Sequence, residues 1–115
     1  MKIARRHKIE LSELILFCRE NIGQIEDDFC LYCQDSDVPL SQGMWIYVEE
    51  YPVGDDAGND VFPDFVVKNE LELLYYGEQF VDVLNNVLMQ AIDPGCGLIV
   101  EALDYYMNND DFMVI

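Results

Sequence analysis

Residues 75–112 read YYGEQFVDVLNNVLMQAIDPGCGLIVEALDYYMNNDDF. Phe80, Val83, Leu84, Val87, Leu88 and Ala91 recur at helical spacing, so they share one face of a helix starting near Glu78. Asp82, Asn85 and Asn86 fall on the other side. Asp93-Pro94-Gly95 then forces a turn. A second helix is expected over 97–108, burying Ile99, Ala102, Leu103, Tyr106 and Met107, with Asn108-Asn109 as an amide-rich C-cap. The two apolar stripes need a partner layer, and the preceding sequence supplies short strands for it.

Immediately upstream, ELELLYY over 70–76 alternates Leu71, Leu73 and Tyr75 with Glu70, Glu72 and Leu74, as a strand does, and Gly77 closes it. VFPDFVVKN over 61–69 fits a short helix with Pro63 in its first turn, or an edge strand broken by that proline. In MWIYVEE over 44–50, Trp45, Tyr47 and Glu49 share one face, with Met44, Ile46 and Val48 on the other; bulk on both faces marks a strand covered on two sides. FCLYC over 29–33 is a further apolar strand. Near the start, Leu11, Leu14, Ile15, Cys18 and Ile22 define a helix over 12–22, with Ser12 as N-cap, Leu11 and Leu16 as a staple, and Gly23 at the end. Residues 1–10 form a basic arm or a short edge segment, and the tail over 110–115 packs back as a strand or an anchor. The resulting expectation is one α+β domain over 1–115: an approximately three-stranded, mostly antiparallel sheet against helices, with a C-terminal helix pair.

Charge narrows the function classes. The chain holds 23 acids and 6 bases, for a net charge of −17. Lys2, Arg5, Arg6 and Lys8 crowd the first eight residues, so the body is almost purely acidic. Nucleic acid and anionic membrane surfaces are repelled by such a field, whereas capture of a cationic protein is accelerated. Apolar residues reach 51%, which argues against disorder. The basic-then-apolar start mimics a secretion signal, but Glu10, Glu13 and Glu20 interrupt it and no small-residue cleavage site follows, so a cytoplasmic protein is expected.

Catalytic patterns are scarce. The one histidine, His7, sits in the basic arm, and no phosphate-binding or nucleophile-elbow motif occurs. Cys30-Leu31-Tyr32-Cys33 is formally a C-x-x-C, but its flanks read as a buried strand that puts the two thiols on opposite faces. The loop over 51–60, YPVGDDAGND, fails the calcium-loop register from either Asp55 or Asp56. No metal, cofactor or catalytic residue is therefore assigned. Aromatics beside acids are more informative, because tyrosine supplies rigid contact area while carboxylates meet arginine and lysine. Tyr76 and Tyr105 are expected to reach solvent.

The pattern D-V-x-x-N-x-x-x-Q (Asp82, Val83, Asn86, Gln90), then A-L-x-Y-Y-x-x-N-D-x-F (Ala102, Leu103, Tyr105, Tyr106, Asn109, Asp110, Phe112), resembles a family of small acidic bacterial proteins of unassigned activity. Some of its members resemble immunity proteins of contact-dependent growth inhibition and polymorphic toxin systems. The likeness covers the last third of the chain, with a weaker echo in L-S-E-L-I and W-I-Y-V. Asp82, Asn86 and Gln90 read as a buried network fixing the helix pair, or as a shared surface. The resemblance implies a stoichiometric inhibitor of a cognate basic toxin domain, such as a nuclease. On that reading the binding set is Glu49, Glu50, Asp55, Asp56, Asp60 and Asp64, flanked by Trp45, Tyr47 and Tyr51. The protein would be a monomer or weak homodimer. The alternative is a small cytosolic acidic regulator or adaptor without catalytic activity, dimerising through the Met-Val-Ile tail.

Overall fold

In the computed structural model, which describes residues 1–115, the chain forms β1 (His7–Glu10), α1 (Leu11–Glu20), a 3-10 turn (Ile22–Gln24), β2 (Cys30–Cys33) and β3 (Trp45–Glu49). A hairpin of β4 (Val53–Gly54) and β5 (Asp60–Val61) follows, then α2 (Asp64–Lys68), β6 (Glu72–Tyr76), α3 (Gly77–Gln90) and α4 (Cys96–Asn109). The architecture is α+β. An antiparallel sheet in the order β1-β3-β2-β6 carries α1, α3 and α4 on one face. The excursion between β3 and β6 lies on the other.

The sheet has four strands rather than three. The additional strand is the basic N-terminal segment, which pairs with β3 from His7 opposite Val48 to Glu10 opposite Trp45. Its cations hold it there: Lys2 and Arg5 meet Asp28, Arg5 also meets Glu50, and Arg6 meets Glu49. Burial of Ile3 adds an apolar anchor.

The β1 strand runs directly into α1, with Glu10 as N-cap and no side-chain cap. The expected Ser12 cap does not form because the β2–β3 loop satisfies the helix start instead. Leu11 and Ser12 donate their N–H groups to the Met44 and Gln42 carbonyls at 2.9 Å. Leu16 is exposed, so no staple forms with Leu11. The helix closes at Asn21, and Gly23 lies in the 3-10 turn instead of capping.

Strand β2 is buried on both faces, as is the middle of β3. Leu31, Cys33, Ile46 and Val48 enter the core beneath the helices, with Phe29, Phe80, Leu84, Ile99 and Leu103. Each such large apolar side chain contributes roughly 1.5–3 kcal/mol on burial. Cys30 and Tyr32 face the opposite way, into a smaller cluster with Val66 and Leu71, closed by Phe62 and Phe65. The proline-led short helix therefore exists, and it lids the second face.

Strict alternation along β6 fails at one point. The register with β2 shifts between Leu31, opposite Tyr75, and Tyr32, opposite Leu73, so Leu74 is an inserted bulge residue. Leu74 and Tyr75 thereby both turn toward the helices, while Leu71 and Leu73 face α2. Gly77 opens α3 instead of merely closing β6. Its N–H donates to Phe29 O at 2.8 Å, and a Cβ at this position would collide with that carbonyl.

At the far end, Asp110 caps α4 in the left-handed region (φ 53°), donating to Tyr106 O at 2.8 Å. The expected Asn108-Asn109 cap is replaced, because both side chains turn back onto the Asp104 and Tyr105 carbonyls at 2.9 Å. The tail is an anchored coil. Gln90 clamps it, donating to Met113 O and accepting from Ile115 N at 2.9 Å, while Nε2 also reaches Asn86 Oδ1 at 2.7 Å. Asp82 and Gln90 are exposed, so this is no buried network between helices. Met107 is exposed too, and Val100 takes a buried place on α4.

Candidate partner-binding face

The residues expected to bind a partner fall into three groups. Glu49 is the first, and it is not surface at all: it is 1% exposed. One carboxylate oxygen accepts from Arg6 Nε at 3.2 Å, and the other from its neighbour's backbone N–H, Glu50 N, at 2.9 Å. Its strand position explains this. Period 2 puts Glu49 on the face of Tyr47, which packs on Phe65 at 5.8 Å beneath α2. Glu50 is exposed, but Arg5 Nε lies 3.1 Å from it. Both acids are thus already neutralised by the N-terminal segment, a long-range pairing that no local pattern announces.

Tyr51 belongs with the scaffold. Its ring stacks on Tyr76 at 5.9 Å and 18°, and its hydroxyl accepts the Glu78 N–H at the start of α3 at 2.9 Å. Burial pushes its phenol pKa up despite that hydrogen bond. Tyr47 is half-buried. Trp45 stands at the opposite end of β3 from the hairpin, 51% exposed, with Lys8 Nζ 5.0 Å from its ring centre. It borders a separate cleft with Gln34, Asp35 and Val38.

The hairpin and α2 carry the rest. Asp55 turns inward: its carboxylate accepts the N–H groups of Asn59 at 2.8 Å and Ala57 at 2.9 Å, which lowers its pKa. Gly58 supplies the positive φ (82°) that closes the tip. Both bonds fall on Oδ1, so the hairpin's own backbone orients this carboxylate. Asp56, Asp60 and Asp64 are exposed and form no ion pair, although Asp64 shares a cleft with Arg6 and Lys68. Five of the 23 acids enter ion pairs; the remaining eighteen project an uncompensated negative field.

Sequence reasoning missed the apolar part of this face. Val53 and Val61, paired across the hairpin, are 66% and 48% exposed, and Val67 on α2 is exposed as well. The signal was present as two valines placed symmetrically about a turn-forming D-D-A-G-N-D, which reads as plain loop.

Cys30 and Cys33 point to opposite faces, and burial raises the pKa of both, Cys30 to about 11. That is the reverse of what a reactive thiol pair needs. No helix is long and apolar enough to cross a membrane. No family model matches the chain, and neither curated proteins nor solved structures yield a match.

Proposed function

We propose that this protein acts by binding, as an immunity protein that neutralises a basic toxin domain such as a nuclease by occluding its active site. The observation that carries the reading is the hairpin with α2: a solvent-facing valine pair beside three exposed carboxylates that enter no ion pair. Apolar area with uncompensated charge at its rim is the composition of a protein interface and not of a solvated loop. Lysines and arginines that normally hold phosphate in a nuclease cleft would meet Asp56, Asp60 and Asp64. The wider negative field would accelerate encounter, and salt would slow it.

The test is a binding measurement against the polypeptide encoded immediately upstream of this protein's gene, at low and high salt. A one-to-one complex whose association slows with salt, and which the triple change Asp56→Lys, Asp60→Lys, Asp64→Lys abolishes, supports the proposal. Absence of a complex removes it. A complex indifferent to the triple change keeps the binding role and moves the interface elsewhere.

The regulator reading rests on a different observation. Met89, Ile92 and Val114 are almost fully exposed. A dimer closed through the tail would cover Val114. Sedimentation across a concentration series separates the two readings, because this one requires a concentration-dependent mass.

A further inference from the structure

The sheet ends at β6, and that edge is open. Apart from the ladder with β2 and the start of α3 at Tyr76, no other backbone bonds to Glu72–Tyr76. An open edge offers unpaired N–H and C=O groups in register for another strand. Natural edges are blunted by lysine, proline or a covering element, and β6 has neither residue. The Leu74 bulge turns two side chains inward, yet leaves the outer edge uncovered.

A shallow groove of about 200 Å³ runs beside this edge. Residues 73–76 of β6 line one side, with Leu74 and Tyr75 turned toward the helices; Gln79 flanks it at the start of α3, and Tyr106 and Met107 of α4 with the capping Asp110 form the far wall. Met107 is exposed, so the groove presents apolar side-chain surface next to free main-chain hydrogen-bonding groups. An edge strand facing a helix across an apolar groove is the geometry that accepts an extended peptide by strand addition.

Charge identifies the occupant. After Lys68 the chain has no lysine or arginine, and it has nine acids, among them Glu72 on the strand and Asp104 and Asp110 on or beside the helix. A second copy of this chain, carrying −17 itself, is opposed by that field; an extended segment rich in lysine or arginine is drawn to it.

We infer that the groove between β6 and α4 is a docking site for a cationic extended peptide segment of a partner protein, taken up as a fifth strand on the sheet. The site is built on β6 and α4 and includes no residue of the hairpin. Main-chain bonds to the edge fix direction and register, the groove takes alternate apolar side chains, and Asp110, with the Glu72 oxygen that Ser36 does not hold, meets the intervening cations. The paired stretch is short, because β6 is five residues long and the Leu74 bulge interrupts it.

The test is a titration of the ¹⁵N-labelled full chain with a blocked peptide of alternating lysine and valine, six residues long, read by amide chemical shift and hydrogen exchange. Expected are shifts and slowed exchange at Glu72–Tyr76, with shifts at Tyr106 and Met107. A peptide of the same charge, N-methylated on the residues of one edge, should bind about tenfold or more weakly, since it loses main-chain bonds. Asp110→Lys and Met107→Lys, both at exposed positions, should weaken the peptide and leave the fold intact. Asp56→Asn, Asp60→Asn and Asp64→Asn together should leave binding unchanged, which separates this site from the proposed toxin face. Equal binding of the N-methylated peptide, shifts confined to the hairpin, or β6 amides protected in a self-dimer without peptide would each overturn the inference.

Discussion

Arg6 and Glu49 form an unequal pair: the guanidinium is 70% exposed, while the carboxylate it meets at 3.2 Å is almost entirely buried. Remove the arginine, and Glu49 is left inside the protein with a single hydrogen bond from Glu50 N. Arg6→Ala should therefore cost about 2 kcal/mol, far more than an exposed arginine usually does. Changing both residues to apolar ones together should cost less than the arginine change alone, because no charge is then stranded. Urea unfolding of the two variants checks this. Equal midpoints for wild type and Arg6→Ala would show that the pair is dispensable.

Gly77 gives a second prediction. The strand-to-helix junction brings its backbone against Phe29, so a methyl group has nowhere to go without moving one chain segment off the other. Gly77→Ala should destabilise by about 2–3 kcal/mol, as overpacking does, despite alanine's better helix propensity. Gly97 makes a suitable control: it lies in the first turn of α4, where the nearest neighbour of an added Cβ is only the flexible end of Gln42. Gly97→Ala should be neutral or stabilising by thermal unfolding.

These two sites show which parts of the fold were legible. Helical spacing in α1, α3 and α4 and apolar runs in β2 and β3 report burial directly, so those elements and their faces could be read. Tyr76 and Tyr105 are exposed as the doubled tyrosines required. Long-range pairing was not legible. The basic segment reads equally as an arm or as an edge strand until β3 is seen beside it, which settles it as the edge, and Glu49 looks like a surface acid until Arg6 is seen across from it. The bulge at Leu74 is invisible too, because it arises from register with β2. The candidate site suffered accordingly. Its acids at 56, 60 and 64 stand in the open, but Glu49, Glu50, Tyr51 and Asp55 are committed to internal partners, and the exposed valines were hidden in what reads as loop.

The thiols should be inert in the folded state. Burial pushes Cys18 up to about 12 and Cys30 to about 11, and raises Cys33 and Cys96 as well. At pH 8 these groups are held as neutral thiols, and only Cys96 has appreciable exposure. A thiol-reactive dye should therefore label one cysteine slowly in native buffer and all four in denaturant. Rapid labelling of Cys30 or Cys33 without unfolding would contradict their enclosure in β2.

Salt and acid should act on stability through different groups. At pH 7 eighteen carboxylates outside ion pairs repel one another, so added salt relieves the folded state. Acid acts through the carboxylates that are paired or hydrogen-bonded. Burial raises the Asp28 pKa, but hydrogen bonds from Arg5 and Lys2 outweigh it and hold the group below its ordinary 3.8. The Asn59 N–H lowers Asp55, and the Ser36 N–H lowers Glu72 from 4.5. A carboxyl whose folded pKa is depressed contributes stability that is present above its unfolded pKa and lost as pH falls through the folded one. The melting temperature should accordingly fall below about pH 4, where the Arg5–Asp28 anchor of the N-terminal segment dissolves, and at pH 7 it should rise with added salt. Asp28→Asn should flatten the acid limb and leave the rise with salt in place. A wild-type melting temperature at pH 7 that is indifferent to salt would mean that the unpaired acids do not strain the fold.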